Sequence, residues 1–374
     1  MRNSYYFRIH KNYVFLTAIF LFLFMLLEAV SYSFLAYRYR HLDSKEKSKD
    51  EMEDIYYKKS EYHPYRWYRL PSNYSGKLVK LDSQGFRNDA SIFGLEGKKI
   101  LAFYGGSTMF STTTDQDSTI PSIINQHQYK SIFIAANFGI GGYASSAELS
   151  TFAETSRLYK NIELAVFYDG VNEVARYVER IQDGNRDRQF DVMSYPFMTG
   201  LDASIYKKYP GQRPYSFPFS LYITKKALLN WKKNLQAIPE IDYVAASKSI
   251  ANIYVENARD ISVIGKARGI RTIFILQPVI YSTDNLSPSE MDIKNKAISV
   301  DMNKIYLFSY REIITSLNKE GIDFLDMSAA LSDKDPSQNF FVDYCHLNAD
   351  GNRHVAKKII SAINHKFSDI GGGS

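Results

Sequence analysis

The pattern of apolar and polar positions opens with a run that has no polar face. From Val14 to Leu35 the chain reads VFLTAIFLFLFMLLEAVSYSFL, apolar but for Glu28 and a few hydroxyls. About 20 helical residues at 1.5 Å each span the roughly 30 Å hydrocarbon core of a bilayer. A cleavable signal peptide has a shorter apolar region, about 7–15 residues, closed by a small-x-small site. Here the run ends in Leu35-Ala36-Tyr37-Arg38-Tyr39, so the pattern predicts an uncleaved transmembrane anchor. Glu28 interrupts it and is expected near the interface or protonated. Arg2, Arg8 and Lys11 precede the run, whereas Arg38, Arg40, Lys45, Lys47 and Lys49 follow it. The positive-inside rule therefore gives no orientation.

Residues 1–40 are expected to form a cytoplasmic tail and anchor, and residues 41–95 a membrane-proximal connector. Asp43 to Glu53 alternates in charge like a solvated helix or stalk. HPYRWYRLPSNYSGKL, His63 to Leu78, is too aromatic for a free linker and is expected to pack on the domain that follows.

From 96 to 368 short β-branched or aromatic runs alternate with helical patterns, which predicts an α/β domain with a parallel sheet. The expected strands are Lys99–Tyr104, Ser131–Ala136, Leu164–Tyr168, Thr272–Leu276 and Ile322–Leu325; Val244–Arg268 and Gly351–Phe367 are expected helices. Residues 175–241, rich in Tyr, Phe, Pro, Lys and Arg, exceed an ordinary βα connection and are expected to be an inserted subdomain. The end, 369–374, reads as a flexible tail.

Composition narrows the chemistry. The excess of 46 basic over 40 acidic residues leaves +6 across 374 residues, too dilute to mark a nucleic-acid-binding face, and none is expected. With Cys345 as the lone cysteine, no intrachain disulfide forms and no zinc or thioredoxin-like spacing exists. No metal and no cofactor is expected.

Four expected strand ends, or positions near them, carry polar residues suited to catalysis. KILAFY runs into Gly105-Gly106-Ser107-Thr108, so Ser107 falls at the carboxyl edge of the sheet, where open α/β folds bind ligands; a plain helix cap is the bland alternative. SIFIAA runs into Asn137-Phe138-Gly139-Ile140-Gly141-Gly142. Gly139-x-Gly141-x-x-Ala144 also matches a relaxed dinucleotide fingerprint. That motif needs an acidic residue about 20 positions on, and Asp169, the first that fits, lies further away. LAVFY runs into Asp169-Gly170-Val171-Asn172-Glu173, where Asn172 either caps a helix or aims its amide at developing negative charge. Last, in Asp343-Tyr344-Cys345-His346, a carboxylate can hold one imidazole nitrogen while the other accepts a proton. A surface pair is the bland alternative.

Taken in order, Gly106-Ser107, the Asn137–Gly142 block, Gly170-Val171-Asn172-Glu173 and Asp343–His346 resemble the four blocks of the SGNH (GDSL-like) hydrolases over about residues 97 to 367. The resemblance implies a three-layer α/β/α flavodoxin-like fold with a parallel sheet, joined to the N-terminal transmembrane helix. It implies Ser107 as nucleophile, His346 as base, Asp343 as its partner, and an oxyanion hole of Ser107 and Gly142 N–H groups with the Asn172 side chain. Gly142 is preferred to Gly139 because the family's glycine usually lies five residues after the block's Asn. Two departures stand out: Gly-Gly-Ser-Thr replaces Gly-Asp-Ser, and Glu173 stands where many members have Asp. Met109 occupies the last glycine position of a Gly-x-Ser-x-Gly elbow, which argues against the α/β-hydrolase fold.

The resulting expectation is a serine esterase removing O-acyl, above all O-acetyl, groups from a polysaccharide or other glycan. It sits in the plasma (inner) membrane as a single-pass protein of the kind associated with surface polysaccharides, its catalytic domain extracytoplasmic. The alternatives are an O-acyltransferase using the same triad on a glycan acceptor, and a non-catalytic glycan-binding scaffold.

Overall fold

The computed structural model describes residues 15–34, 51–53, 55–56, 59–88, 97–127, 133–182, 220, 241–295 and 300–367. The chain divides into two compact units, Met1–Glu53 with Asp202–Ala237, and Asp54–Leu201 with Ile238–Ser374. Apart from its ends and Ser220, the expected insertion lies outside the described residues, as does the 369–374 tail.

In the first unit, helix α1 (Phe15–Phe34) has 20 residues and a mean hydropathy of 2.1, long and apolar enough to cross a membrane. Glu28 is buried within this unit and its Oε1 accepts the backbone N–H of Ser220 at 3.1 Å and the Ser220 hydroxyl. A polar partner on the same unit thus satisfies the acid that interrupts the apolar run.

The second unit is built on five parallel strands: β3 (Lys99–Gly105), β4 (Phe133–Asn137), β5 (Ile162–Asp169), β6 (Arg271–Leu276) and β7 (Phe324–Asp326), in the spatial order β4-β3-β5-β6-β7. Before them, β1 (Glu61–His63) and β2 (Trp67–Arg69) form an antiparallel hairpin. Beyond its first residue β3 is buried along its whole length, the near-continuous apolar run that a strand covered on both faces requires. Helices α4 (Ser145–Leu158), α5 (Val171–Gln182), α6 (Tyr243–Ala267) and α8 (Met302–Glu320) pack together as one layer; α3 (Ile120–His127) packs with α9 (Ala349–Lys366) as the other. Two shorter helices, α2 (Ser107–Phe110) and α7 (Pro288–Lys294), complete the unit. The result is a three-layer α/β/α fold with the flavodoxin-like order 2-1-3-4-5.

That order reverses between β3 and β5: the chain leaves β3 toward β4 and leaves β5 toward β6. Connections departing to opposite sides open a crevice at the carboxyl ends of this strand pair, where such folds bind ligands. The expected last strand begins two residues late, at Phe324. Gly321, in the left-handed region at φ 65°, and Ile322 donate their N–H groups to Asn318 and Leu317, so Ile322 closes α8 rather than opening β7.

From Asp54 onward the connector belongs to this second unit. Tyr143 donates its hydroxyl to the carbonyls of Arg66 and Tyr68 at 2.8 and 2.7 Å. Arg87 is buried, and its guanidinium donates to the carbonyls of Phe110, Ser111, Thr114 and Leu78 and to Gln116 Oε1. It thereby caps the carbonyl end of α2 with a charged group of matching sign.

Candidate active site

Ser107 is the first residue of α2, directly past the end of β3, and it is half-buried. A first-turn position leaves its N–H without a helical partner, and no other acceptor takes that N–H among the described residues. Gly106 just before it has ordinary backbone angles, φ −83° and ψ −149°. Its lack of a side chain matters for space instead: a Cβ there would lie 2.2 Å from Asn172 Nδ2 and 2.9 Å from the Tyr143 carbonyl. The serine turn, the Gly139–Tyr143 loop and the start of α5 therefore converge on one point at the β3/β5 crevice.

The loop before α9 brings the base to the serine from 239 residues away. His346 Nε2 lies 2.7 Å from Ser107 Oγ, and His346 Nδ1 lies 2.7 Å from Asp343 Oδ2. Asp343 Oδ1 also accepts the backbone N–H groups of Cys345 and His346 at 2.9 and 2.8 Å. A bridge between Phe341 and Leu347, closed by Val342 N–H donating to the His346 carbonyl at 2.9 Å, makes the loop a tight hairpin. Ile280 N–H donates to Tyr344 O at 2.9 Å and Thr113 Oγ1 to Leu347 O at 2.6 Å, fixing it to the unit. Burial pushes the Asp343 carboxyl up. The hydrogen bond and charge of His346, with the two backbone donors, more than offset this and hold it at about 2. The neighbouring Cys345 Sγ is 3.6 Å from His346 Nδ1, but burial pushes its thiol well above the ordinary range, so it stays neutral and is no rival nucleophile.

The loop Gly139–Tyr143 carries one uncommitted amide. Gly139 N–H donates to Asn137 Oδ1, Ile140 N–H to Gly105 O, Gly141 N–H to Tyr56 Oη and Tyr143 N–H to Ile140 O. Among the described residues the Gly142 N–H has no such acceptor, which favours Gly142 over Gly139 as a donor to bound substrate. Gly142 sits at φ +75°, where L side chains are strained. Asn172, the second residue of α5, spends one amide N–H on the Tyr143 carbonyl at 2.5 Å and keeps the other.

Beneath Asn172, the buried carboxyls of Glu148, Asp169 and Glu173 are all pushed up, chiefly by burial and, for Glu148 and Asp169, also by one another's proximity. Asp169 accepts the Tyr254 hydroxyl at 2.5 Å, and Glu173 Oε1 accepts the Ser145 N–H at 2.6 Å, tying α5 to the first turn of α4. Glu173 is thus a brace behind the Asn172 turn. Gly141, central to the dinucleotide alternative, approaches the Tyr56 ring: a Cβ there would lie 2.9 Å from it. The close approach the glycine allows is filled by the chain itself.

Sequence patterns did not single out Tyr56, Tyr68, Arg176 or Gln277. Tyr56 and Tyr68 come from the connector and Arg176 from α5, and all three bond the glycine loop. Gln277, just past β6, accepts the hydroxyl of Thr108 at 2.8 Å. No repeat or spacing in the sequence marks them; only the density of tyrosines in the connector hinted that it docks.

No family model matches the chain, and no curated protein does. Among solved structures, it is similar to an acetylxylan esterase of Geobacillus stearothermophilus, studied as a catalytic mutant, at 14% identity and TM-score 0.40, covering 71% of this chain and 95% of that one. A member of the lipolytic protein G-D-S-L family from Veillonella parvula aligns at 11% identity and TM-score 0.40, covering 71% and 98%. A GDSL-like lipase from Bacteroides thetaiotaomicron aligns at 15% and 0.37, covering 72% and 89%. Likeness this distant assigns no chemistry, which rests on the residues of this chain.

Proposed function

We propose that this protein is a serine ester hydrolase of SGNH type, with Ser107 as nucleophile, His346 as general base and then acid, and Asp343 as the group that orients and stabilises the imidazolium. The observation that carries the reading is the unbroken relay of two 2.7 Å hydrogen bonds, Ser107 Oγ to His346 Nε2 and His346 Nδ1 to Asp343 Oδ2. As Ser107 Oγ attacks an ester carbonyl, its proton passes to His346 Nε2. The tetrahedral oxyanion is received by the Ser107 and Gly142 N–H groups and the second N–H of Asn172. Collapse expels the alcohol, which takes the proton from Nε2, and leaves an acyl-serine. Water, deprotonated by the same nitrogen, attacks that ester; the carboxylic acid leaves and Ser107 regains its proton.

The substrate we propose is an O-acyl, above all O-acetyl, ester on a polysaccharide or other glycan. Aromatic faces for stacking on sugar rings and cations for acidic sugars abound in the 175–241 sequence. In this reading α1 anchors the protein in the plasma membrane, with the hydrolase unit on the extracytoplasmic side.

The test uses the full-length protein in detergent, with p-nitrophenyl acetate and acetylated glycans as substrates and acetate release as readout. Wild type is expected to turn over and to be labelled by a fluorophosphonate, and Ser107→Ala to do neither. Equal turnover by the two proteins would remove Ser107 from the mechanism.

A further inference from the structure

The Gly142 amide is useful only if its N–H faces the reacting oxygen, and its direction is a soft variable. Ile140 to Tyr143 form a four-residue turn closed by Tyr143 N–H donating to Ile140 O at 3.2 Å. Positive φ at Gly142, +75°, makes it the third residue of a type II turn. Types I and II differ by a flip of the central peptide, here the unit that joins Gly141 to Gly142. With glycine on both sides no Cβ biases that flip. Because a peptide is planar and trans, its C=O and N–H point opposite ways. Whatever holds the Gly141 carbonyl therefore aims the Gly142 N–H.

The group that holds it is the Tyr68 hydroxyl, which donates to Gly141 O. The adjoining peptides are fixed as well. Tyr56 Oη accepts the Gly141 N–H at 2.9 Å on one side, and Arg176 Nη2 donates to Gly142 O at 3.1 Å on the other. Ring contacts stiffen the clamp: Tyr68 meets Tyr143 edge-on at 5.5 Å, and Tyr56 meets Phe110 of the serine helix at 5.3 Å. Burial pushes the Tyr56 phenol well above its ordinary range, so it stays a neutral acceptor across the working pH range.

We infer that Tyr68, with Arg176 supporting it, is a positioning residue: it locks the Gly141–Gly142 peptide in the orientation that presents the Gly142 N–H to the oxyanion. The membrane-proximal connector is then part of the catalytic apparatus, supplying from outside the α/β layers the restraint that a glycine turn lacks. The inference rests on the proposed esterase reading of the same site.

Tyr68→Phe removes the hydroxyl and keeps the ring packing. In the full-length protein, kcat for p-nitrophenyl acetate is expected to fall ten- to hundredfold, with KM within about twofold, because the lost donor serves the transition state more than the ground state. A trifluoromethyl ketone, whose serine adduct carries an oxyanion, should lose affinity in proportion to kcat/KM. A merely structural role would lower the melting temperature and leave the kcat-to-KM split and the inhibitor correlation absent. Arg176→Met, which frees the second carbonyl, should shift both quantities in the same direction by less, and it carries the test should Tyr68→Phe fail to fold. Wild-type kcat and inhibitor affinity in the folded variants would overturn the inference while leaving Ser107 in place. An active Ser107→Ala would instead overturn the esterase reading on which it rests.

Discussion

Gly106→Ala probes the convergence of the three loops with a single methyl group. The backbone angles at Gly106, φ −83° and ψ −149°, are open to alanine, so the cost is contact alone. The new Cβ would stand 2.2 Å from Asn172 Nδ2; regaining ordinary contact at 3.4 Å requires that nitrogen to retreat by about 1.2 Å. The Tyr143 carbonyl, 2.9 Å from the Cβ, is backbone and already fixed by the loop, so Asn172 is the group that yields. Misplacing a catalytic group by about 1 Å costs on the order of 100-fold, and outright loss of one oxyanion donor costs about 3–4 kcal/mol of barrier. We expect kcat for p-nitrophenyl acetate to fall about 100-fold, with a stability loss of about 1–3 kcal/mol from overpacking. Thermal melts and steady-state kinetics on the same preparation separate the two effects. A double-mutant cycle with Asn172→Ala then isolates the route. In the Asn172→Ala background, where the obstructing amide is gone, adding Gly106→Ala should cost far less than it does alone. An undiminished cost there, or wild-type turnover in Gly106→Ala, would refute the convergence.

Two further outcomes follow from the base loop. Asp343→Asn keeps the shape but offers His346 Nδ1 an uncharged partner, and kcat should drop about 10³–10⁴-fold with the fold intact. The carboxyl titrates at about 2 in the folded protein, below its ordinary 3.8. Its contribution to stability is therefore complete above pH 3.8 and vanishes as pH falls through about 2. Acid-unfolding curves of wild type and Asp343→Asn should differ most above that window and converge below it; a constant gap down to pH 1.5 would contradict the pairing. Behind the same loop, Lys334 Nζ and Glu290 Oε2 form a fully buried pair at 2.8 Å. The other oxygen, Oε1, accepts the N–H groups of Phe340 and Phe341 at 2.7 and 2.9 Å. Lys334→Met strands that carboxylate, and denaturant titration should show a loss of about 3–5 kcal/mol; a change under 1 kcal/mol would mean that the pair does not brace the loop.

The parts of the molecule legible in the sequence were those governed by local rules. Strand β3 was readable because a strand buried on both faces must be continuously apolar, and α6 because its cap, Asp242, accepts the N–H groups of Val244 and Ala245 at the expected start. Ser107, Asn172, Asp343 and His346 could be picked out because each directly follows a strand or precedes a helix, the edges where such a fold collects polar side chains. Their meeting point was not legible: nothing local at Asp343 states that its loop bridges 239 residues to Ser107. The clamp on the glycine turn was hidden for a different reason. Tyr56, Tyr68 and Arg176 touch only backbone atoms of the loop, and a backbone acceptor leaves no residue type in the sequence to be matched.

That distinction bears on what a glycine-rich turn needs in order to act as an anion receptor. Flexibility lets the backbone approach a developing charge, but an amide that must be reoriented at the moment of reaction loses the benefit of preorganisation. In this chain Tyr68 fixes the Gly141 carbonyl, Arg176 the Gly142 carbonyl and Asn172 the Tyr143 carbonyl, and the four neighbouring N–H groups of the loop are satisfied internally. Three of these restraints come from elements that also carry site residues or join them to the anchor: Asn172 and Arg176 share one face of α5 at i, i+4 spacing, and Tyr68 lies on the connector. Displacing the connector would release the Gly141 carbonyl before it disturbed the Ser107–His346–Asp343 relay, so damage to the connector should appear first in oxyanion stabilisation and only later in serine activation.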